Sequence, residues 1–379
     1  MNKNCYITLS NCVTPLGFDV KSNFEAISNG ISGIQFHEKS QLLNASFHAA
    51  TIDSESLNNA FLQIETDDSF SRLEKMLILA LKPIIEVEKI SHRTAFILST
   101  TKGNITTLEN SAPNIQQAQL GTLAKKMATY FGFTTEPIVV SNACVSGVLA
   151  IAVAKRLIQA GAYDDAYIVA GDEVSSFVLS GFNSFQAMSD KPCMPFDKNR
   201  DGVTLGEASA AVYITSHEIE NCSGVLKVLG DGSVNDANHI SGPSRTGEGL
   251  VKSIESALKE SGVAIDSIDY ISAHGTATLY NDEMEAIAFN RLGLDQVPVN
   301  SFKGFFGHTL GASGLLEAVI AAYSASENHL IASKGYTERG TSYAINIIKE
   351  NKAKSINYFL KTASGFGGCN TAVIFEKIN

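Results

Sequence analysis

The sequence lacks the features that mark membrane, secreted and nucleic-acid-binding proteins. No apolar run reaches the roughly 18 to 20 residues needed to span a bilayer. The start, MNKNCYITLSNCVTPLG, has neither the basic segment nor the unbroken apolar segment of a secretory signal. The formal net charge of −10 argues against a general nucleic-acid binder, although an acidic protein partner would need only a local basic patch. We therefore expect a cytoplasmic protein with no membrane or nucleic-acid partner.

Closely spaced cysteines are missing as well. There is no C-x-x-C pair and no His-rich tract, so the usual compact zinc sites are disfavoured. We expect reduced thiols, at most one of them reactive. The six cysteines are widely scattered: Cys5, Cys12, Cys144, Cys193, Cys222 and Cys369.

What is present predicts an α/β protein. With 379 residues, 44% hydrophobic and 18% charged, the chain can bury a large core as two ordinary domains or one large α/β unit. Segments rich in β-branched residues alternate with helical patterns, as in layered α/β folds. The predicted strands are 94–99, 137–140, 166–170, 210–215, 268–273, 297–300, 356–360 and 372–375. The predicted helices are 20–28, 115–131, 144–160, 247–261, 282–292 and 311–328.

The chain also shows signs of internal duplication. Residues 139–160 and 299–325 each contain a strand, a short loop of small residues and a long Ala-rich helix. The best internal boundary lies near residues 216–222, before Gly224 opens a new strand-rich section. We therefore expect two similar halves, residues 1–218 and 219–379.

Cys144 is the candidate nucleophile. The predicted strand 137–140 runs into a tight loop, and a helix of small residues begins at or just after Cys144. A thiol at a helix N-terminus faces unpaired N–H groups and the positive end of the dipole. We therefore expect a pKa below the free value of about 8.5 and an enriched thiolate. The alternative is a small core residue, the usual fate of a lone cysteine.

Two histidines are candidates for acid–base and oxyanion chemistry. His274 follows the predicted strand 268–273, and His308 lies in a glycine-flanked loop after Lys303. Open α/β sheets bind ligands at the carboxyl ends of their strands. Nearby hydroxyls, a lysine and carboxylates suit proton transfer and oxyanion stabilisation. The alternative for each histidine is an ordinary core or surface residue.

A metal site is a competing interpretation of this region. His274, His308, Asp282 and Glu285 all carry ligand atoms, and the two carboxylates are three residues apart on one face of a predicted helix. No H-E-x-x-H or other compact ligand spacing accompanies them. We expect no metal.

The glycine-rich segment 364–370 is not a dinucleotide-binding loop. It lacks the G-x-G-x-x-G spacing, and only eleven residues follow Gly368, too few for the helix of such a unit. We expect a loop whose backbone N–H groups approach a substrate oxygen; the alternative is a strained turn between two strands.

Eight motifs, spread over nearly the whole chain, resemble those of the elongating β-ketoacyl-acyl carrier protein synthases of the thiolase-like superfamily. Each motif alone is weakly specific, whereas all eight in the family's order are very specific. They lie at residues 13–17 (VTPLG), 30–34 (GISGI), 138–147 (IVVSNACVSG), 195–202 (PFDKNRDG), 273–276 (AHGT), 281–283 (NDE), 307–312 (GHTLGA) and 365–368 (GFGG).

The resemblance implies a five-layered αβαβα fold of two similar halves and roles for matching positions. Cys144 would take an acyl group from its carrier as a thioester. His274 and His308 would hydrogen-bond the malonyl thioester carbonyl as carbon dioxide leaves. The backbone N–H groups of Cys144 and Phe366 would hold the oxyanion of the second step.

Further positions receive supporting roles from the same resemblance. Lys303 would pair with Glu317 and orient the histidines, and Phe366 would gate the acyl pocket. Asp282 and Glu285 would form a polar network behind the histidines. Thr276 and Thr278 would contact the pantetheine arm.

The implied activity is that of an acyltransferase, a 3-oxoacyl-[acyl-carrier-protein] synthase, in fatty acid or type II polyketide (aryl polyene-like) biosynthesis. Its substrates would be attached as thioesters to the phosphopantetheine of an acyl carrier protein, with no separate cofactor. A homodimer, or a heterodimer with a related ketosynthase or chain-length factor, is implied. Arg72 and Lys75 on a predicted helix are candidates for docking the acidic carrier, a solvated surface face being the alternative.

The sequence departs from the family pattern around the acyl pocket. Ser364 replaces a phenylalanine, Cys369 follows the paired glycines, Phe305 and Phe306 are bulky, and paired glycines are missing after Thr100. These changes affect the expected substrate more than the expected chemistry. Two other functions compete: a noncatalytic chain-length partner, which would lack the cysteine, and a thiolase-like or initiating enzyme acting on coenzyme A thioesters, which would carry a different residue set.

Overall fold

The computed structural model describes residues 3–39, 42–67, 69–109, 112–217, 224–237 and 242–378. Within these ranges the strands are β1 (Tyr6–Val13), β2 (Ile34–His37), β3 (Phe47–Ala50), β4 (Thr94–Ser99), β5 (Ile138–Val140), β6 (Asp165–Asp172), β7 (Leu205–Gly206), β8 (Ala208–Thr215), β9 (Leu226–Asn235), β10 (Tyr270–Ser272), β11 (Val299–Asn300), β12 (His329–Leu330), β13 (Lys352–Ala353), β14 (Tyr358–Ser364) and β15 (Cys369–Lys377). The α-helices are α1 (Val20–Ser28), α2 (Ser54–Leu62), α3 (Arg72–Ile85), α4 (Ile115–Ala118), α5 (Leu120–Phe131), α6 (Ser146–Gln159), α7 (Ser176–Ser184), α8 (Glu248–Ser261), α9 (Leu279–Arg291), α10 (Lys303–Phe306) and α11 (Ser313–Ser326).

The main sheet contains the same strand arrangement twice. Its order is β11-β10-β14-β15-β9-β1-β8-β6-β4-β5. Numbered along each half of the chain, both sets of five strands read 3-2-4-5-1 from the outer edge inward. In both sets the first, fifth and fourth strands pair antiparallel, whereas the fourth, second and third pair parallel. This equivalence agrees with two similar halves; the predicted boundary between residues 218 and 219 lies outside the described residues.

The layers are set by which faces of the sheet the helices cover. Helices α6 and α11 pack in one apolar core with strands of both halves. A second core lies between α3, α5 and the other face of the first half, and a third between α8, α9 and the second half. The β1–β9 contact between the halves spans two residue pairs. The predicted five-layered αβαβα fold is confirmed.

Glycines allow the two central helices to touch. A Cβ atom at Gly147 of α6 would lie 2.5 Å from the backbone nitrogen of Leu315 in α11. A Cβ at Gly314 of α11 would lie 2.6 Å from the nitrogen of Val148. The helices therefore cross at backbone contact close to their N-termini, which brings together the loops that precede them.

Most predicted elements are present with shifted ends. Helix α1 and strand β4 have the predicted bounds, whereas the predicted helix 115–131 is divided at Gln119, whose backbone is extended (ψ 130°). Strands β1 and β9 and helices α2 and α7 were not predicted. Among the described residues, no helix combines the length and apolarity needed to cross a membrane.

Candidate active site

Three predicted site residues lie in loops at the ends of strands. Cys144 lies between β5 and α6, and His308 lies in the corresponding loop between β11 and α11, after the short helix α10. His274 follows β10. Because β5 and β11 are the third strands of their halves, the sulfur and one imidazole occupy equivalent loops of the repeat.

These loops bring the three side chains into contact. The Nε2 atom of His308 lies 3.0 Å from the Sγ atom of Cys144, and the two imidazole rings are edge to face with centroids 5.3 Å apart. One ligand atom from each residue lies within 4.8 Å of the others. Cys144 is 8% exposed and both histidines are 2% exposed. The structure therefore assembles a buried thiol and two imidazoles from distant parts of the sequence.

The expected lowering of the Cys144 pKa is wrong. Burial raises the pKa of this thiol to about 12, and the neighbouring Cys369 adds to the increase. Lys303, the Phe366 backbone N–H and Lys102 act in the opposite direction but are outweighed. Helix α6 begins at Ser146, so the dipole is present, but its contribution does not offset the desolvation of a thiolate. The resting residue is a neutral thiol.

The tautomer of His308 follows from its neighbours. The backbone N–H of Leu310 donates to Nδ1 at 3.2 Å, and the Ser313 hydroxyl lies 2.9 Å from the same atom. A ring nitrogen that accepts an N–H carries no proton in the neutral imidazole. Burial, together with the charge on Lys303, lowers the pKa of His308 well below its usual value. His308 is therefore neutral, with its Nε2–H directed at the Cys144 sulfur.

Lys303 fixes His274 in the same tautomer. Its ammonium lies 3.3 Å from the His274 Nδ1, 2.6 Å from the His274 carbonyl oxygen and 2.6 Å from Glu317 Oε1. An ammonium only donates, so Nδ1 is an acceptor and Nε2 carries the proton. Burial and the charge on Lys303 lower the pKa of His274 well below its usual value. The site thus presents two neutral N–H donors.

Glu317 also binds a second buried lysine. Its Oε2 atom lies 2.6 Å from Lys361 Nζ. Glu317, Lys303 and Lys361 are each at most 2% exposed. The predicted Lys303–Glu317 ion pair is part of this three-residue cluster, and the sequence analysis did not identify Lys361. A lysine within the apolar strand β14 is the signal that would have revealed it.

Asp282 and Glu285 hold the backbone of the His274 loop. Glu285 accepts the N–H groups of His274 and Gly275 at 2.8 and 2.6 Å, and Asp282 accepts that of Thr276 at 2.9 Å. Burial raises the pKa of Asp282, and burial together with Asp282 raises that of Glu285 to about 7. Both carboxylates thus serve the loop rather than a shared metal position with the histidines. Among the described residues, the group spaced for a metal ion is Cys144, His274 and His308.

The glycine-rich loop joins β14 to β15 and reaches Cys144. The Phe366 backbone N–H interacts with the Cys144 thiol and acts to lower its pKa. A Cβ at Gly365 would lie 3.0 Å from the Cys144 nitrogen, so glycine leaves the space beside that N–H open. The Phe366 ring stacks on Phe182 with centroids 5.6 Å apart. The loop is therefore both a tight turn and a source of N–H donors at the sulfur.

Asp172 is a further positioning residue that the sequence analysis missed. Its buried carboxylate accepts the N–H of Gly311 at 2.8 Å, next to the His308 loop. It also accepts the N–H groups of Thr101 and Lys102 and the hydroxyl of Thr100. Asp172 therefore ties the loop after β4 to the loop of His308. A lone aspartate at a strand end gives no local signal of such contacts.

Arg72 and Lys75 form neither a docking surface for a carrier protein nor a solvent-exposed helix face. Arg72 forms an ion pair with the buried Glu207 and donates to Ser54 at 3.0 Å. Lys75 is 8% exposed and donates to Asn58 at 2.9 Å. The prediction of carrier-docking cations at these positions is wrong, because helix α3 turns this side towards the protein interior.

A cavity of about 890 Å³ leads to the three side chains. Cys144, His274 and His308 line its buried part, and Thr276 and Thr278 line its wall. The hydroxyls of the two threonines are 2.9 Å apart. A buried thiol beside imidazole N–H donors at the closed part of a cavity suits acyl transfer from a thioester.

Comparison with protein families decides the classification. Residues 4–219 match the family model "Beta-ketoacyl synthase, N-terminal domain" and residues 226–336 match "Beta-ketoacyl synthase, C-terminal domain". The chain belongs to the β-ketoacyl synthase family. The resemblance found in the sequence motifs is thereby confirmed.

Individual relatives agree with this assignment. A 3-oxoacyl-[acyl-carrier-protein] synthase 2 of Vibrio cholerae is 30% identical over 68% of this chain and 66% of its own length. Another, from Staphylococcus aureus strain COL, is 26% identical over 99% of both chains. The solved ketosynthase in complex with its chain length factor from Xenorhabdus doucetiae has a TM-score of 0.88 and 25% identity, covering 99% of this chain and 98% of that chain.

Proposed function

We propose that the protein condenses an acyl group held on Cys144 with a malonyl group carried by an acyl carrier protein, releasing carbon dioxide. The observation that carries this proposal is the placement of one thiol within 4.8 Å of two neutral imidazole donors in the buried part of the cavity, one of them in contact with the sulfur. Family membership and the 3-oxoacyl-[acyl-carrier-protein] synthase relatives support it.

In the first step, Cys144 attacks the thioester carbonyl of the acyl carrier. The carbon–sulfur bond to the pantetheine breaks, and the proton of the Cys144 thiol leaves with the released pantetheine thiol. The N–H groups of Cys144 and Phe366 stabilise the oxyanion between bond formation and bond cleavage. Forming the covalent thioester divides one difficult reaction into two easier ones.

In the second step, the malonyl thioester loses carbon dioxide and retains the electron pair as an enolate. Its oxygen accepts the Nε2–H groups of His274 and His308, whose neutral forms place two donors where negative charge develops. The enolate carbon then attacks the acyl-cysteine carbonyl. A carbon–carbon bond forms, the carbon–sulfur bond breaks, and the sulfur regains a proton from solvent. Lys303 orients His274 through Nδ1, and the ion pair with Glu317 holds that lysine in place.

The substrates, on this proposal, arrive on phosphopantetheine, with Thr276 and Thr278 beside the arm, and no separate cofactor or metal takes part. The pathway is fatty acid or type II polyketide (aryl polyene-like) biosynthesis. The unpaired thiols of the five described cysteines suit a reducing cytoplasm; Cys222 lies outside the described residues. A noncatalytic chain-length role has no comparable support, since the cysteine is present and its sulfur lies 3.0 Å from His308 Nε2.

A dimer is also part of the proposal. Strand β5 ends the main sheet, and its outer edge pairs with no other strand in the described part of the chain. An unpaired edge strand is a natural site for pairing with another subunit. The solved relative from Xenorhabdus doucetiae pairs a ketosynthase with a chain length factor. The partner here is a second copy or a related ketosynthase or chain-length subunit.

Intact-protein mass spectrometry tests the proposed function. The purified protein is incubated with an acyl carrier protein bearing a short acyl thioester, and then with malonyl carrier. We expect one acyl adduct on the wild type and on Cys12→Ala, a matched buried thiol in β1, but none on Cys144→Ala. The adduct should disappear from the wild type after malonyl carrier is added, with a 3-oxoacyl carrier as product. An adduct that persists on Cys144→Ala would defeat the assignment.

A further inference from the structure

The cavity has a closed end and an open end. Its closed end contains the buried residues Cys144, His274 and His308. Other lining residues are exposed and mark the mouth: Phe185, Gln186, Asp201, Arg245, Thr246, Leu279 and Tyr280. Leu279 and Tyr280 are 55% and 77% exposed, at the start of α9. A thioester that reaches Cys144 must pass these side chains.

The mouth contains one cationic side chain among the described lining residues, Arg245. Two carboxylates line the same cavity, and both accept hydrogen bonds from residues other than Arg245. Asp236 accepts from the Asn370 amide at 2.9 Å and from the Gly249 N–H at 2.8 Å, and Asp201 accepts from the Ser189 hydroxyl. Within the described residues, no carboxylate forms an ion pair with Arg245. Its charge faces solvent at the mouth of a cavity in a protein of net charge −10.

We propose that Arg245 binds the phosphate of the phosphopantetheine arm. This inference rests on the proposed function, because that function brings a thioester on such an arm to Cys144. The phosphate is the charged group of the arm and lies at the end remote from the sulfur, so it remains near the mouth when the thioester reaches the closed end. A guanidinium presents paired donors that match a phosphate. The exposed hydroxyl of the neighbouring Thr246 offers a further donor at the same place.

The phosphate also distinguishes carrier-type substrates from shorter thioesters. A thioester on pantetheine without phosphate fills the same tunnel but offers Arg245 no anion. Arg245 would therefore raise the enzyme's preference for substrates that carry the full prosthetic arm. This selectivity is separate from recognition of the carrier's protein surface.

Two small thioesters test the inference without any carrier protein. The rate of Cys144 acylation is measured by intact-protein mass spectrometry with hexanoyl-phosphopantetheine and with hexanoyl-pantetheine at low salt. We expect the wild type to react roughly tenfold faster with the phosphorylated compound, the size of one charge-assisted interaction. Arg245→Gln should lose this preference and react normally with hexanoyl-pantetheine, whereas Arg245→Lys should keep part of it. Arg339→Gln, at an exposed arginine outside the cavity lining, should behave as the wild type.

Three results would overturn the inference. Equal rates for the two compounds in the wild type would show that no phosphate site exists. A preference that survives in Arg245→Gln would place the site elsewhere. Arg245→Gln could slow acylation by the whole acyl carrier protein while still reacting faster with hexanoyl-phosphopantetheine than with hexanoyl-pantetheine. That result would show that Arg245 contacts the protein surface of the carrier instead of the phosphate. Absence of any acyl adduct in the wild type would, by contrast, overturn the proposed function itself.

Discussion

The Nε2 atom of His308 lies 3.0 Å from the Sγ atom of Cys144, and the hydrogen bond runs from ring to sulfur. The Leu310 N–H donates a hydrogen bond to Nδ1, so the ring carries its proton on Nε2 and donates from there. This direction matters for mechanism, because a donor cannot also be the base that removes the thiol proton. This direction supports the proposed role of His308 as an oxyanion donor rather than as the base that activates Cys144.

Replacing either histidine should therefore separate the two half-reactions. His308→Ala and His274→Ala should still form the acyl-enzyme, because the Cys144 and Phe366 N–H groups remain. Both should lose condensation by about 10²- to 10³-fold, the usual effect of removing one oxyanion donor. Acylation and carbon dioxide release are measured separately, with His92→Ala, an exposed histidine, as control. Full condensation by His308→Ala would remove it from the site.

The Cys144 thiol should alkylate slowly at neutral pH and faster at every higher pH. Its pKa of about 12 leaves little thiolate, and the thiolate is the reactive form. The iodoacetamide reaction rate, followed by mass spectrometry on the protein and on Cys144→Ala, should rise about tenfold per pH unit from pH 7 to 9.5. A thiolate-rich cysteine would instead reach a plateau. A plateau at or below pH 8 would contradict the raised pKa and support the lowered Cys144 pKa that the sequence predicted.

The cluster of Glu317, Lys303 and Lys361 predicts that Glu317→Gln lowers the free energy of unfolding more than Lys361→Met does. Glu317→Gln leaves Lys303 and Lys361 buried without an anion, a change that costs about 3–5 kcal/mol in comparable buried pairs. Lys361→Met removes one of the two ion pairs of Glu317 and the hydrogen bonds to neighbouring carbonyls, each worth about 0.5–1.5 kcal/mol, but no buried cation loses its anion because Glu317 stays paired with Lys303. Thermal unfolding should show the larger fall in Tm for Glu317→Gln. An equal or larger fall for Lys361→Met would contradict this charge balance.

The crossing of α6 and α11 predicts a loss of both stability and activity in Gly147→Ala. The added methyl would meet backbone atoms of Leu315 and Gly311 at 2.5 and 2.9 Å, which cannot move aside as a side chain can. Overpacking of this kind costs about 1–3 kcal/mol, and the displaced helix carries the Cys144 loop with it. Tm and the acylation rate should both fall.

Gly121→Ala is the matched control for that substitution. Gly121 lies in α5, and a Cβ there would meet nothing within 4 Å. Alanine is favoured over glycine within helices by about 0.5–1 kcal/mol. Tm should therefore stay level or rise slightly, with acylation unchanged. A similar loss in both variants would show that the close approach at Gly147 is not the cause.

The sequence predicted the elements whose local pattern matches their environment. Strands such as β4 and β6 have continuous apolar centres and were predicted, whereas β9 was not. Its Gly230 and Gly232 weaken the strand pattern, yet a Cβ at either would collide with the backbone of α8, which packs over them. The need for glycine at these positions comes from the packing of α8 on the sheet, so it cannot be inferred from the sequence of β9 alone.

The candidate site was predicted unevenly for a similar reason. Cys144, His274 and His308 stand in glycine-rich loops at strand ends, a pattern that local reasoning detects. The sign of the Cys144 pKa shift was missed because sequence shows the start of a helix but not the burial that outweighs it. Asp172 acts through backbone N–H groups more than seventy residues before it and well over a hundred after it, which leaves no mark in its own neighbourhood.

The repeated 3-2-4-5-1 strand order explains how one centre draws on distant parts of the chain. One copy of the arrangement supplies the sulfur, and the other supplies both rings. Neither set of five strands holds the thiol together with the imidazoles. The centre therefore exists only where the two sets meet.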